Sequence, residues 1–310
     1  MIAAKPLSAL ELCEALRHGH AVELARRLNR ILRLDNAQGL LEVQAATPWL
    51  AIAAALRPGD ARSRVRTTMP TVGESIARNA AGPDGTPAVA HVASMALVTP
   101  EGELRRVSRE RDVELFALTV GGQGLFGTLY SVTLRIGSLA QAVERARQPL
   151  ELQLQSPPKM QQTLELLLPP QTLDAFLRET ETRCNDWRMP LCSVGTRSTQ
   201  HEADTYLRWA RSDYAEVTLG FSAPCSLGAA VRSAQLRQEL IDAAIALGGS
   251  FQIASTTDAT REQCERCYPQ LREFLAEKRR FDPHERLVSP WYFHQRSLLE
   301  REACEVRWAN

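Results

Sequence analysis

The chain has 310 residues, of which 44% are hydrophobic and 24% charged, and its formal net charge is +1. This is the composition of an ordinary globular protein. The near-neutral charge argues against a basic surface for nucleic acid, and no apolar run reaches the roughly 18 residues that a membrane span needs. The N-terminal segment carries charge too early for a signal peptide, so we expect a cytoplasmic protein without a transmembrane segment.

Hydrophobic periodicity and turn residues predict alternating helices and strands in the first half of the chain. In chain order these are a helix over 8–34, a strand over 39–45, a helix beginning at Thr47-Pro48-Trp49, a helical turn over 71–82, strands over 91–99 and 104–107, a helix over 112–119 and a strand over 128–135. His91 and His201 are expected at the surface.

The second half also alternates, and we place a domain boundary near 145–155. The predicted elements are a helix over 173–183, a strand over 217–221, a helix over 227–247 ended by Gly248-Gly249, a strand over 251–254 and a helix over 260–278.

Four glycines occur within seven residues, at Gly121, Gly122, Gly124 and Gly127. Three of them fit G-x-G-x-x-G, but a dinucleotide-binding loop of that spacing follows a strand and opens a helix. Here a predicted helix precedes the run and a predicted strand follows it. The spacing alone leaves two interpretations open: a turn that gathers backbone N–H groups around a phosphate or a flat ring, or a plain tight turn.

The seven cysteines are scattered and odd in number, which indicates reduced thiols. Cys264 and Cys267 form a C-x-x-C within a predicted helix. No second pair or suitably spaced histidine accompanies them, so we expect no metal site. Chance placement on the helix is the favoured interpretation, and a redox role is the alternative.

Several segments occur in the order typical of the FAD-linked oxidase superfamily with the vanillyl-alcohol-oxidase, or PCMH-type, flavin domain. Residues 40–49 resemble its V-x-A-G-x-x-W strand and turn, and residues 71–82 its T-V-G-G-x-I-A-x-N-x-x-G motif. Residues 91–102 and 121–135 resemble its L-V-T-x-x-G and G-G-x-G-L-x-G segments, and residues 278–283 its K-x-x-x-D-P. Within the superfamily the chain most resembles bacterial FAD-binding oxidoreductases related to decaprenylphosphoryl-ribose oxidase and to the sterol reductase group.

The resemblance implies an α+β fold with a PCMH-type two-subdomain FAD-binding region, shortened at its N-terminal part, and an antiparallel-sheet substrate domain. The corresponding ranges are 1–147 for the flavin region, 148–280 for the substrate domain and 281–310 for a segment returning toward the flavin domain. FAD would accept a hydride from an alcohol-type substrate, a sugar or a lipid-linked alcohol. A partner protein or a homo-oligomer is also compatible with the resemblance.

The resemblance assigns cofactor contacts to the two glycine-containing motifs. These residues are Val72, Gly73, Ile76, Ala77, Asn79, Gly82, Gly121, Gly122, Gly124, Gly127, Leu129 and Tyr130. On the substrate side, Arg197, Tyr206 and Ser255 are candidate contacts, and His294 is the candidate proton-handling residue.

Three departures from the superfamily pattern favour a second hypothesis, a flavin-poor homologue that acts as a scaffold, partner subunit or ligand-binding protein. The usual glycine-rich pyrophosphate loop is replaced by residues 17–27, which are predicted to be a charged helix. Arg26 and Arg27 there could contact phosphate or simply face solvent. Glu74 stands where the family has glycine and could repel a diphosphate, and the hydroxyl-bearing residues 255–257 offer no strong base.

Overall fold

A computed structural model describes residues 3–24, 27–56, 71–82, 85–139, 160–223 and 226–300. The chain divides into two compact units. The first comprises Met1–Arg147, Glu202–Arg208 and Arg272–Phe293, and the second comprises Gln148–His201, Trp209–Leu271 and His294–Asn310. The predicted boundary region and Arg26 lie outside the described residues, and the roles assigned to the two regions stay predictions.

The first unit combines an antiparallel sheet with short helices. Its elements are α1 (Ala9–Arg17), β1 (Ile31–Asp35), β2 (Leu40–Gln44), α2 (Trp49–Leu56), α3 (Val72–Arg78), β3 (Val92–Val98), β4 (Leu104–Ser108), α4 (Val113–Thr119) and β5 (Thr128–Arg135). The strand order is β1-β2-β5-β3-β4, and every pairing is antiparallel.

The strand β5 is central because it pairs with β2 on one side and β3 on the other. Val132 is opposite Val43 across one pairing and opposite Met95 across the other. All three side chains are buried, so they form part of the core on one face of the sheet. Leu134, two residues further along β5, is buried as well.

The predicted N-terminal helix over 8–34 is wrong beyond Arg17. The helix α1 begins after Ser8, whose side chain accepts a hydrogen bond from Glu11 N, and ends at the C-cap His18. Residues 31–35 form the edge strand β1, which pairs with β2. Its leucines and isoleucine fit either period over such a short run, and only the neighbouring strand decides between them.

The other predicted elements of this unit occur close to their predicted positions, with two local corrections. On α4, the apolar pattern predicts Val113 on one face with Phe116, but Val113 is 54% exposed, whereas Leu115 and Phe116 are buried. His91, expected at the surface, is buried and its Nδ1 lies 3.0 Å from Ser138 Oγ. His201 is exposed, as expected.

The second unit contains a four-stranded antiparallel sheet with helices. Its strands are β6 (Met160–Leu168), β7 (Leu191–Thr199), β8 (Tyr214–Ala223) and β9 (Ser250–Phe251), in the order β7-β8-β6-β9. Its helices include α5 (Leu173–Asp186), α6 (Leu227–Ala246) and α7 (Arg261–Cys267). Helix α6 packs against α5 and contacts β6, β8 and β9.

Two predictions for this half are wrong in extent. The helix expected over 260–278 is two helices, α7 and α8 (Leu271–Phe281), because Tyr268 leaves the helical conformation before Pro269. A proline disfavours the helical conformation of the residue that precedes it. The strand expected over 251–254 is the two-residue β9. A final helix, α9, spans Pro290–Glu300.

Among the described residues, no helix combines the length and apolar character needed to cross a membrane.

Candidate functional site

A cavity of about 270 Å³ lies within the first unit, where the start of α3, the turn after β2 and the glycine run before β5 meet. It is lined by Leu24, Ala45, Ala46, Thr71, Gly73, Glu74, Ala77, Thr119, Gly124, Gly127, Thr128 and Leu129. Most of these residues are small, so the backbone forms much of the wall.

One wall of the cavity depends on the close approach of α3 to the turn after β2. Thr71 caps α3 through its side chain, and Gly73 N donates to Ala45 O at 2.7 Å. A Cβ at Gly73 would lie 2.8 Å from that oxygen, so only glycine permits this spacing. Trp49 Nε1 donates to Ser75 Oγ at 2.9 Å and ties α2 to the same helix.

The glycine run forms another part of the cavity wall. It is hydrogen-bonded to the C-terminal end of α3. Gly121 N donates to Ile76 O and Gln123 N to Ala77 O, both at 2.9 Å. Gly124 has φ +74°, and no heavy atom of the described residues lies within 4 Å of the position a Cβ would take. The backbone of Gly124 is therefore open at the cavity, and a side chain there would enter free space.

Other glycines of the run serve packing. A Cβ at Gly122 would lie 2.0 Å from Leu118 O, and one at Gly127 would lie 2.3 Å from Leu97 Cδ1. Gly122 therefore allows the turn to close on α4, and Gly127 allows β5 to begin against β3. The tight-turn interpretation therefore accounts for Gly122 and Gly127, and contact of the run with a phosphate or a flat ring stays a prediction.

Five of the predicted cofactor residues line the cavity: Gly73, Ala77, Gly124, Gly127 and Leu129. The other predicted residues, which are Val72, Ile76, Asn79, Gly82, Gly121, Gly122 and Tyr130, are not among its lining residues. Val72 and Ile76 are buried in the core. Tyr130 packs against the cluster of Leu12, Leu16, Leu28 and Val98, and Gly82 N donates to Thr86 O.

Asn79 is engaged in structure at both ends of its side chain. Its backbone takes φ +46°, Oδ1 accepts from Val89 N at 3.0 Å, and Nδ2 donates to Glu202 Oε1 at 3.4 Å. The motif position is thus explained by a helix C-cap that also holds a later chain segment.

The sequence interpretation missed several lining residues, among them Ala45, Ala46, Thr119 and Thr128. Ala45 and Ala46 belong to the segment after β2 that resembles the V-x-A-G-x-x-W motif. That motif was therefore the sequence feature that could have predicted their place at the cavity. Glu74, singled out from the sequence, does line the cavity and is exposed. It adds negative charge at the site.

The segment Glu202–Arg208 joins the first unit through a buried carboxyl group. Glu202 Oε2 accepts from Asp204 N at 3.0 Å and from Thr205 N at 3.1 Å. Burial raises the pKa of Glu202 above its ordinary value, against the lowering effect of these hydrogen bonds. Tyr206, a predicted substrate contact, donates through its hydroxyl to Glu273 Oε2 at 3.4 Å.

The segment that resembles K-x-x-x-D-P forms a buried ion pair in the first unit. Lys278 is 0% exposed and its Nζ contacts the carboxylate of Asp282. Asp282 also accepts from Leu287 N at 2.8 Å and Arg286 N at 3.0 Å. Burial acts to raise the pKa of Asp282, but these bonds and the ammonium group lower it below its ordinary value. The buried ion pair and the two backbone hydrogen bonds of Asp282 therefore account for the K-x-x-x-D-P motif.

The remaining predicted residues belong to the second unit. Arg197 Nη2 donates to Glu216 Oε1 at 2.6 Å, and Ser255 Oγ donates to Glu165 Oε2 at 2.8 Å. The buried Nε2 of His294 has no hydrogen-bond partner in the described part of the chain. None of these residues is among the lining residues of the cavity.

The C-x-x-C cysteines lie on α7 and are both buried. Burial raises the pKa of the Cys264 thiol to about 12, and it also raises the pKa of Cys267. Thiols of this kind are poor nucleophiles at neutral pH. Within the described ranges, no group of histidine, cysteine, aspartate or glutamate residues is arranged to hold a metal ion.

The comparisons with known proteins bear on the half of the cavity formed by β2 and α3. Residues 8–108 match a family model described as an FAD binding domain, and no curated protein matches the chain. The matched stretch contains Ala45, Thr71, Gly73 and Ala77 and ends before the glycine run. The match supports FAD as the cofactor, and residues 8–108 suggest a flavin-dependent oxidoreductase.

Proposed function

We propose that the protein is an FAD-dependent oxidoreductase acting on an alcohol-type substrate, a sugar or a lipid-linked alcohol, and that the cavity of the first unit holds part of FAD. The observation that carries the proposal is the free space at Gly124, which lines the same cavity as Gly73 and Ala77 of the stretch that matches an FAD binding domain. Kinship with the oxidoreductases related to decaprenylphosphoryl-ribose oxidase, a PCMH-type arrangement and a cytoplasmic location belong to the same proposal.

The cavity suits one portion of the cofactor. Its volume of about 270 Å³ is just below the roughly 300–1,000 Å³ typical of sites that enclose a drug-sized ligand. Walls of glycine and alanine allow a flat ring or a diphosphate to approach the main chain closely. The described residues thus fit a ring or a diphosphate, and the rest of the cofactor would extend beyond them.

Hydroxyl groups at the cavity would orient the cofactor. Thr71 and Thr128 line it, and a threonine hydroxyl can both donate and accept. Thr119 also lines it, but its Oγ1 already donates to Leu115 O at 2.6 Å and therefore offers a ligand only lone pairs. When bound, FAD supplies the capacity to accept a hydride, and the protein supplies orientation and electrostatics.

We propose that residues 148–280 form the substrate domain, that Arg197, Tyr206 and Ser255 are substrate contacts, and that His294 is the proton-handling group. A partner protein or a second copy of the chain remains part of this proposal. The second candidate function is a flavin-poor homologue that serves as a scaffold, partner subunit or ligand-binding protein. Glu74 favours it, because a carboxylate at the cavity opposes a diphosphate.

The test is a titration of the purified, flavin-free protein with FAD, followed by visible absorption and flavin fluorescence. The proposed oxidoreductase takes up FAD and shows the absorption bands of protein-bound oxidised flavin, which bleach without oxygen when an alcohol substrate is added. Absence of any FAD uptake would overturn the proposal. Absence of uptake is also what the flavin-poor alternative predicts, whereas uptake without bleaching by sugars, polyols or prenol-linked sugars would overturn the proposed substrate class.

A further inference from the structure

The sheet of the second unit has one apolar face and one mainly polar face, here called the polar face, on which the fully buried Leu167 of β6 is opposite Glu216 of β8. On β8, Val217, Leu219 and Phe221 alternate with Glu216, Thr218 and Gly220, so the two sets point to opposite faces. The apolar set is buried on the face that α6 covers, where Ser233 of α6 donates to Gln162 of β6. The face that carries Glu216 and Thr218 is therefore the face away from α6.

Glu216 is the unusual residue of the polar face. Its side chain is 1% exposed, and Oε1 accepts from Arg197 Nη2 at 2.6 Å. Its other oxygen, Oε2, is buried without a hydrogen-bond partner in the part of the chain that the structure describes. A buried carboxyl oxygen without a donor destabilises the fold, and buried polar groups are nearly always satisfied. A ligand that donates to Oε2 would remove this cost.

Other polar groups lie on the same face, either directly opposite Glu216 or next to Thr218, which is two residues further along β8. Arg197 is opposite Glu216 in the pairing of β7 with β8, and Glu165 is opposite Thr218 in the pairing of β6 with β8. Ser255 Oγ donates to Glu165 Oε2 at 2.8 Å. Ser255 is exposed and Glu165 half-buried, so this end of the polar face is open to solvent.

The charges of this cluster select among ligand classes. Glu165 and Glu216 oppose a ligand carboxylate or phosphate, and the Arg197 guanidinium opposes a ligand ammonium group. Burial raises the pKa of Glu216, with Glu165 acting in the same direction and Arg197 against it. A neutral hydroxyl group meets neither repulsion, because it can donate to one carboxyl oxygen and accept from a neighbouring donor.

We propose that Glu216 Oε2, positioned by Arg197 and flanked by Glu165 and Ser255, is a hydroxyl-binding subsite for a neutral polyhydroxylated ligand such as a sugar or polyol. This inference rests on the proposed function, in which it specifies the class of alcohol. It distinguishes neutral polyols from hydroxy acids and amino alcohols, which the sequence did not.

Three probes of equal chain length test the charge preference: D-sorbitol, its carboxylate analogue D-gluconate and its amine analogue D-glucamine. Binding is measured by calorimetry on the full chain saturated with FAD. The expected order has sorbitol binding about tenfold or more tighter than gluconate and tighter than glucamine. Gluconate or glucamine binding more tightly than sorbitol would overturn the proposal, as would the absence of sorbitol binding.

Glu216→Gln tests the residue itself. The amide oxygen must face Arg197, which places an NH₂ group where Oε2 was and removes the acceptor. Sorbitol binding is expected to weaken about tenfold. The matched control is Glu239→Gln, because Glu239 of α6 also pairs with an arginine, Arg183 at 3.2 Å, on the helical side of the unit. Equal loss in both variants would overturn the assignment.

Ser255→Ala provides a second variant at an exposed position, in case Glu216→Gln fails to fold. Sorbitol affinity is expected to fall about threefold while gluconate affinity does not improve; unchanged sorbitol affinity would count against the subsite. FAD absorption is recorded in every sample. Flavin uptake without sorbitol binding overturns the subsite alone, whereas sorbitol binding by a protein that takes up no FAD overturns only the proposed oxidoreductase function.

Discussion

Replacing Gly124 with alanine tests the cavity directly, and Gly39 provides a matched control. Both glycines have positive φ, +74° and +65°, and in the part of the chain that the structure describes neither has a heavy atom within 4 Å of the position a Cβ would take. Gly124 lines the cavity, whereas Gly39 lies in the turn between β1 and β2. The two substitutions therefore add the same methyl group at the same backbone conformation, and only one adds it at the proposed site.

The conformational cost is expected to be equal in the two variants. An L-residue held at positive φ costs about 1–2 kcal/mol, and each kcal/mol lowers Tm by roughly 2–4 °C. This strain is present with and without ligand, so it does not affect FAD affinity. The methyl group of Gly124→Ala occupies cofactor space, and forcing an extra methyl group into a packed contact costs about 1–3 kcal/mol. Each 1.4 kcal/mol is about a tenfold loss of affinity.

The assay combines thermal unfolding of the two flavin-free variants with titration of FAD fluorescence. We expect similar Tm decreases, and a loss of FAD affinity of about fivefold to a hundredfold for Gly124→Ala only. Equal FAD affinities in the two variants would refute the location of the cofactor at this cavity. A larger Tm decrease for Gly124→Ala would instead refute the matched strain on which the comparison depends.

Three further predictions use other named contacts. Glu74→Gln is expected to tighten FAD binding by up to about 1 kcal/mol, because water screens an exposed carboxylate; the same change at Glu11, in the first turn of α1, is the control, and equal titrations would contradict the repulsion. Because burial raises the pKa of Glu202, the folded state retains the Glu202 proton above the ordinary pKa of 4.5. Urea unfolding should therefore show the free energy of unfolding falling as pH rises above 4.5, by at most about 1.4 kcal/mol per pH unit. Glu202→Gln should reduce this pH dependence, and an unchanged pH dependence would be the contrary result. Lys278→Met leaves a buried carboxylate unpaired and should cost about 3–5 kcal/mol in chemical denaturation, whereas Arg280→Met, on the same helix but exposed, should cost little; similar losses would disprove the role of burial.

Elements with a strong local signal could be predicted from the sequence. The alternation of Thr128–Arg135 and the long apolar period of Leu227–Ala246 matched β5 and α6, because each pattern is incompatible with the other element type. Ile31–Asp35 could not be placed, because three apolar residues among five fit both periods and the partner strand β2 decided its structure. Tyr268 broke a predicted helix where a proline followed it.

The candidate site was predictable in its motifs and less so in the direction of its side chains. The two segments indicated by the resemblance meet at one cavity, since Gly73, Ala77 and Gly124 all line it. It could not show that Asn79 turns inward to Val89 and Glu202, because those partners lie 10 and 123 residues away in the chain.

The sequence by itself determined the order of most strands and helices, the two glycine-containing segments, the acidic residue Glu74 and the resemblance that implies FAD, since each depends on neighbouring residues in the chain. Only the tertiary structure decided which glycines are open and which are packed, and that one oxygen of Glu216 is buried without a donor from the described residues. Burial and hydrogen-bond satisfaction depend on strands and helices distant in sequence, so no local pattern encodes them.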